Sequence, residues 1–327
     1  MLESSSANGS TCNGPKTNMM LVVLNWNNGA DTLHCLRSLE HAGVLHAVVV
    51  VDNGSTDSSV VEIEAHYPCV PIIATGANLG YAGGNNVGIR YALDRGVDFI
   101  GVLNNDVVVE PDFVEPLIGI FQQQPEIGIV TPLVAERVDD GQVWAMGSAV
   151  NWRTAAVTRQ HAGEPINAWR GRLPFPVEIA SGAAMLVRRE VFNRVGLLDE
   201  SFFLYYEETD WCLRAGRAGC RILAVPSSIV WHKVSAALGA SSPAIDYYML
   251  RNHLRLISRH WSDAHRVHLW SRVVLHNLLV VAAFTAKPHG GQRIPNRNAR
   301  LLALRDAILG RWGKMGPDVA RICYPSR

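Results

Sequence analysis

Two adjacent carboxylates, Glu207 and Glu208, close an aromatic run (SFFLYYEETD, residues 201–210) at the point where the pattern turns helical. Acids so placed can face a cleft and take a proton from an attacking hydroxyl. They can equally serve as helix N-terminal charges, which the helix dipole stabilises. Three more polar residues end apolar runs. Asp52 follows four valines, Asp106 ends the triplet Asn104, Asn105, Asp106 after Leu103, and His232 follows Val230 and Trp231. An acid behind two amides can hold a divalent cation through oxygen, and that cation can bridge phosphates; such a triplet is also good turn chemistry. Asp52 can cap its turn or accept a hydrogen bond from a base or a ribose. His232 reads either as a satisfied core histidine or as a ligand. The glycine-rich GYAGG at 80–84 lets backbone approach a nucleotide, though it is neither GxGxxG nor a P-loop.

These residues need elements to position them. Residues 19–24, 47–51, 71–74 and 98–103 read as short, wholly apolar strands. Helical patterns separate them. The first is capped by Asp31 and ended by Gly43, the second begins near Ser58, and the third covers 87–94 and stops at Gly96. Strand, loop and helix in repetition predict a mostly parallel α/β sheet flanked by helices. Strands apolar on both faces agree, because parallel strands are covered on both sides. Ligands of such sheets bind at the carboxyl ends of the strands. The polar loops 25–28, 52–57, 78–86 and 104–106 are therefore expected to line one crevice. Residues 179–187, 221–225 and 230–232 read as further strand segments, and beyond Asp246 the pattern is helical.

Bulk composition narrows the class. The chain has 327 residues, 48% of them hydrophobic, and a net charge of +1, so nothing draws it toward nucleic acid. Charge is uneven, however. Residues 251–327 hold fourteen Lys/Arg against three Asp/Glu, and the rest of the chain is acidic. A basic tail of this kind suggests a meeting with an anionic surface, and Arg251, Arg255, Arg259 and Arg266 are its first members. The six cysteines have no metal-site spacing and fit free thiols in a reducing compartment. Residues 1–18 are polar, lack an apolar core of a signal peptide and are expected to be disordered. The apolar run 273–286 falls short of the roughly 20 residues that span a bilayer, so an interfacial or core helix is expected there.

The order of the motifs is more specific than any one of them. VVDNGSTD at 50–57, NLGYAGGNNVGI at 78–89, LNNDV at 103–107, GLLDESFF at 196–203, YEETDWCLR at 206–214 and VWH at 230–232 follow one another along the chain. Together they resemble the family 2 glycosyltransferases, which have the GT-A fold, over residues 19–260. YYMLRN at 247–252 looks like the bacterial subgroup of rhamnosyltransferases. The resemblance implies a nucleotide-diphosphate sugar donor, dTDP-L-rhamnose first among them, a saccharide or lipid-linked acceptor, and a divalent cation, Mn2+ or Mg2+. It places Asp52 on the pyrimidine base and Asp106 and His232 on the metal. Asn25, Asn27, Asn78, Gly80, Asn86, Asn104 and Asn105 would surround the donor. Glu208 matches the family's general base. The family has Glu-Asp where this chain has Glu-Glu, so the choice between Glu207 and Glu208 stays open. Asn104 replaces the first acid of the metal motif, and Asn25 and Asn27 stand in a beginning that is usually Pro-x-Tyr-Asn. The implied layout is a disordered 1–18, a GT-A catalytic domain over 19–245 and a basic helical region over 246–327. That region would meet the inner membrane face or a second copy of a cytoplasmic enzyme. The competing readings are a non-catalytic nucleotide-sugar-binding protein and a nucleotidyltransferase. The latter wants a basic phosphate loop, and residues 25–30 carry no Lys or Arg.

Overall fold

The computed structural model describes residues 18–136, 141–233, 242–287 and 293–324. The expectation of disorder for 1–18 falls, except for Asn18, outside them. The first half alternates as expected: β1 (Met19–Asn25), α1 (Gly29–His41), β2 (Val48–Asp52), α2 (Ser59–His66), β3 (Ile72–Ala74), α3 (Gly80–Asp94) and β4 (Phe99–Asn104). The valines of β2 are buried on both faces. β3, β2, β1 and β4 lie side by side and parallel. The register pairs Asn25 with Asp52 and Leu24 with Asn104, which brings three polar strand ends level.

Two local expectations are corrected here. α1 is capped by Asn28, whose side chain accepts from the Asp31 backbone N–H, and Asp31 sits in its first turn. The tract 78–86 is not a loop, because α3 already starts at Gly80. Glycine disfavours a helix by about 1 kcal/mol relative to alanine. Packing reverses the preference here. A Cβ on Gly84 would stand 2.4 Å from Leu24 Cδ1, and one on Gly88 would stand 2.3 Å from Val22 Cγ1. Small residues let α3 press directly on β1.

The second half continues with β5 (Val107–Val109), α4 (Val114–Gln123), β6 (Ile127–Glu136), β7 (Gln142–Ala145), β8 (Ser148–Asn151), β9 (Ala156–Arg159) and β10 (Phe175–Pro176). β11 (Ala184–Arg188), α5 (Arg189–Val195), α6 (Glu207–Arg217) and β12 (Arg221–His232) follow. The main path of the sheet is β10-β12-β6-β11-β4-β1-β2-β3. β11 runs antiparallel between β4 and β6, so the sheet is mixed, and the strand expected over 179–187 is confined to Ala184–Arg188. The two segments expected at 221–225 and 230–232 form one strand. Its register shifts between Val225 and Ile229, around Pro226, which cannot donate to a ladder.

Four helices follow: α7 (Pro243–His260), α8 (Asp263–Ala286), α9 (Arg293–Ile308) and α10 (Pro317–Cys323). Tyr247, Tyr248 and Leu254 of α7 share a core with Ala299, Ala303 and Leu304 of α9 and with Val319 of α10, and Phe203, Leu204 and Tyr205 pack against it. α8 corrects the length argument. The helix has 24 residues, not the length of its apolar run, and is long and apolar enough to cross a membrane. Leu269 and Asn277 are its buried residues. The basic stripe is corrected too. Arg251 is 1% exposed, while Arg255 and the exposed Arg259 pair with Asp199, so these three are engaged within the protein.

Candidate active site

At the ends of β1 and β2 the amides act as struts. Asn25 is buried, and its Nδ2 donates to Asp52 Oδ1 at 3.0 Å, Ser55 Oγ at 3.1 Å and Ser59 Oγ at 3.0 Å. Its Oδ1 accepts from Thr32 Oγ1 at 2.7 Å. Asn27 takes a left-handed conformation (φ 49°), which asparagine tolerates. Its Oδ1 accepts from the Thr56 N–H at 2.7 Å. Asp52 also accepts from the Ser55 N–H at 3.1 Å. One carboxylate is thus held rigidly where β2 ends. Asn53, which sequence reasoning passed over, accepts from the Leu79 N–H and donates to Gly80 O. Asn78 accepts from the Gly80 N–H at 2.8 Å. Asn86 is buried and ties α3 to Leu198 and Glu200 through three hydrogen bonds.

The Asp106 turn lies next along the sheet edge. The Asn104 N–H donates to Ala183 O at 3.0 Å, and Asn105 Nδ2 to Thr32 Oγ1 at 2.9 Å. β5 pairs with the end of β12, setting Val107 opposite His232. This brings Asp106 Oδ1 to 3.1 Å from His232 Nε2. His232 Nδ1 is buried without a hydrogen-bond partner, and Trp144 stands edge-on to the ring at 4.9 Å. A cavity of about 550 Å3 opens beside this pair, walled also by Asp31, His34 and Lys233. Asp52 and Glu208 do not line it, so it flanks the expected donor crevice and does not fill it. Among the described residues no three His, Cys, Asp or Glu side chains group into a metal cage. One carboxylate and one imidazole nevertheless suit a cation whose other ligands are substrate phosphates and water.

The acidic pair comes from the other half of the chain. Glu207 and Glu208 open α6, after three residues with left-handed backbone, Phe203 (φ 66°), Tyr205 (φ 69°) and Tyr206 (φ 73°). Such conformations cost of order 1 kcal/mol or more each outside glycine. Glu207 is 3% exposed, and its Oε2 is buried without a hydrogen-bond partner. Burial, and then the charge of Glu208, push its carboxyl well above the ordinary range. Glu208 is part-exposed, and burial raises it as well. The helix dipole favours ionised acids at this position, but desolvation outweighs it. Glu208 lies against Gly182, where a Cβ would meet its Cγ at 3.3 Å. Tyr81 of α3 donates its phenol to Gly182 O at 2.5 Å. Burial pushes that phenol well above its usual value, and the charges of Glu207, Glu208 and, more weakly, Asp106 add to the shift. Tyr81 and Glu208 thus meet at Gly182, and Asp106 lies within electrostatic reach of the phenol. The Tyr81 backbone N–H donates to Phe203 O at 2.7 Å, which locks α3 to the segment before α6.

The structure thus gathers Asn25, Asn27, Asp52, Asn78 and Gly80 at one end of the crevice and Asn104, Asn105, Asp106 and His232 at the next. Glu208 meets Tyr81 at Gly182, with Glu207 next to it in the chain. Asn86 lies away from these, as a link to 198–200.

A family model described as glycosyltransferase like family 2 matches residues 15–244. The chain belongs to the family 2 glycosyltransferases. Among the relatives of this glycosyltransferase is the dTDP-rhamnosyl transferase RfbF of Shigella flexneri, 27% identical over 220 residues, which cover 65% of this chain and 71% of that one. Another is an N-acetylglucosaminyl-diphospho-decaprenol L-rhamnosyltransferase of Mycobacterium tuberculosis, 33% identical over 220 residues, covering 59% and 68%. Solved structures show the fold. GalNAc-T7 with UDP, GalNAc and Mn2+ superimposes with a TM-score of 0.59 at 15% identity, covering 94% of this chain and 58% of that one. S. aureus TarS 1-349 with UDP-GlcNAc gives a TM-score of 0.55 at 16% identity, covering 89% and 80%. The fold is GT-A, with added C-terminal helices.

Proposed function

We propose that this family 2 glycosyltransferase moves a sugar from a nucleoside-diphosphate donor to a hydroxyl of a saccharide or lipid-linked acceptor, with inversion. The observation that carries the reading is the pairing of Asp106 with His232 at 3.1 Å at the edge of the same sheet whose neighbour segment, at Gly182, meets both Glu208 and the Tyr81 hydroxyl. Asp52 accepts hydrogen bonds from the base, Asn25 holds it in register, and Asn27 fixes the Ser55–Thr56 turn beside it. Asn78 and Gly80 bring backbone toward the nucleotide, and Asn104 and Asn105 border the diphosphate. Asp106 and His232 would hold a divalent cation, Mn2+ or Mg2+. When bound, it offsets the charge that develops on the departing diphosphate. Glu208, the more exposed of the pair, takes the acceptor proton as the hydroxyl attacks from the face opposite the leaving group. Glu207 lies behind it.

The two rhamnosyltransferases among the relatives make dTDP-L-rhamnose the first donor to try, and the TarS complex makes UDP-sugars the second. The decaprenol in one relative's name suggests a lipid-linked acceptor here. In that setting the exposed apolar side of α8, with Val267, Leu275, Leu278 and Leu279, is the membrane contact. The helix carries no Asp or Glu after Asp263. It packs on α7 and α9 along one side, which favours lying on a leaflet over crossing it. We take residues 19–245 as the catalytic domain and 246–327 as the helical region of a cytoplasmic, membrane-peripheral enzyme.

The deciding experiment is a donor screen with purified protein and Mn2+ or Mg2+, following binding and slow donor hydrolysis. The expected result is one nucleotide-sugar that binds in a metal-dependent way and is hydrolysed. Binding without turnover, even after a lipid-linked acceptor is supplied, points to a non-catalytic binder. Binding of none removes the roles given to Asp52 and Asp106.

A further inference from the structure

One polar face of α7 is turned toward the segment 199–210 that carries the acidic pair. Arg251, Asn252, Arg255, Arg259 and His260 recur at about one-turn spacing, so they share one side of the helix. Asn252 is fully buried. Its Nδ2 lies 2.8 Å from Phe202 O, 2.7 Å from Leu204 O and 3.0 Å from Tyr205 O. These carbonyls belong to the segment that holds the left-handed residues Phe203, Tyr205 and Tyr206 just before Glu207. Arg251 Nε donates to Asn252 Oδ1 at 3.1 Å, which fixes the amide so that its N–H groups face the carbonyls. Arg251 Nη2 reaches Phe202 O as well, at 3.3 Å. Behind it, Arg251 Nη1 donates to the Tyr247 hydroxyl, which donates to Asp306 of α9 at 2.8 Å. A second grip lies one turn into α6. Buried Asp210 takes His260 Nε2 at 2.8 Å and Arg259 Nε at 3.2 Å.

We propose that Arg251 and Asn252 are positioning residues for the sugar transfer. They hold the strained 202–206 turn, so that Glu207 and Glu208 leave α6 toward Gly182 and Tyr81. Neither touches the donor half of the crevice. The C-terminal helices are then part of the catalytic apparatus, whatever membrane role α8 has. The inference rests on the proposed function for its kinetic readout, but not for its structural one. A left-handed run of this kind persists only where its surroundings over-determine it. Here the two N–H donors of one amide serve three of its carbonyls, all within 3.0 Å of the nitrogen.

The test uses the full chain and the variants Asn252→Ala, Asn252→Asp, Arg251→Lys and Tyr247→Phe. Hydrogen exchange is measured for amides 203–209, with those of β1 and β4 as reference. Calorimetry with dTDP and UDP in Mn2+ reports on the donor half. Kinetics use the donor found in the screen. The expected pattern is at least tenfold faster exchange in 203–209 for Asn252→Ala, with the reference strands unchanged. Nucleotide affinity and KM for the donor should stay within about threefold. kcat should fall about 100-fold, the scale on which a misplaced catalytic group slows a reaction. Tyr247→Phe and Arg251→Lys should show smaller changes in the same direction, and they decide the matter if the Asn252 variants do not fold. Unchanged exchange in 203–209, or loss of kcat and affinity together in step with thermal stability, overturns the proposal. If the wild-type protein binds neither nucleotide, the proposed function fails, while the exchange result still judges the clamp.

Discussion

At the scale of single residues, Glu207 and Glu208 are chemically alike and differ in surroundings. Glu207 is buried against its own helix start, and Glu208 reaches Gly182. Glu208→Gln is expected to lower kcat by about 10²–10⁴-fold, the usual worth of a positioned base. Glu207→Gln should keep kcat within about tenfold, and initial rates of transfer separate the two outcomes. The pair also sets a pH dependence. A base must be ionised to act, and burial raises both acids, so the acid limb of kcat should lie above the ordinary glutamate range of about 4.3. Stability moves the other way. The fold favours the protonated pair, so its contribution is complete below the unfolded value and is lost as pH rises through the folded one. Thermal melts of Glu207→Gln should therefore lose less on going from mild acid to mild alkali than the wild type does. The sequence offers the acids, the Asp106 triplet and His232 as candidates because their chemistry resides in residue type, and the pairing of Asp106 with His232 is what the fold adds. Which glutamate faces the crevice is not, because Tyr81 and Gly182, distant in sequence, decide it.

At the scale of elements, the alternation of strands and helices was readable from apolar runs and caps. The reading failed at α3. Composition there favours a loop, since Gly and Asn are poor helix formers. The helix forms because those glycines let it touch β1, and contact with another element is invisible to a local pattern. Gly88→Ala should cost about 1–3 kcal/mol, since the new methyl meets the stiff side chain of Val22. Each kcal/mol should lower the melting temperature by about 1.5 °C in a chain of this size, and calorimetry checks it. β11 escaped notice as an antiparallel strand for a similar reason. Its apolar run has the same appearance in either direction, and only its pairing with β4 and β6 settles the sense.

At the scale of the whole molecule, the basic surplus of the last 77 residues was visible and its use was not. Counting charges cannot tell an arginine that meets lipid from one that meets Asp199 or Asp306. What the second half of α8 shows outside is largely apolar instead, with Leu275, Leu278 and Leu279 exposed. Replacing Leu275, Leu278 and Leu279 by serine should abolish flotation with anionic liposomes while leaving donor hydrolysis in solution unchanged. Flotation that persists in this variant would assign membrane contact to another surface.

The grip of α7 on the turn before α6 has a consequence for the newborn chain. Ribosomes release a protein from its N-terminus onward, at about 5–20 residues per second. The crevice walls of β1 to β4 and the acids of α6 leave the exit tunnel before Asn252, and Asp306 follows later still. On the roles proposed above, the nascent polypeptide then holds its nucleotide loops before α7 can fix the turn that precedes the base.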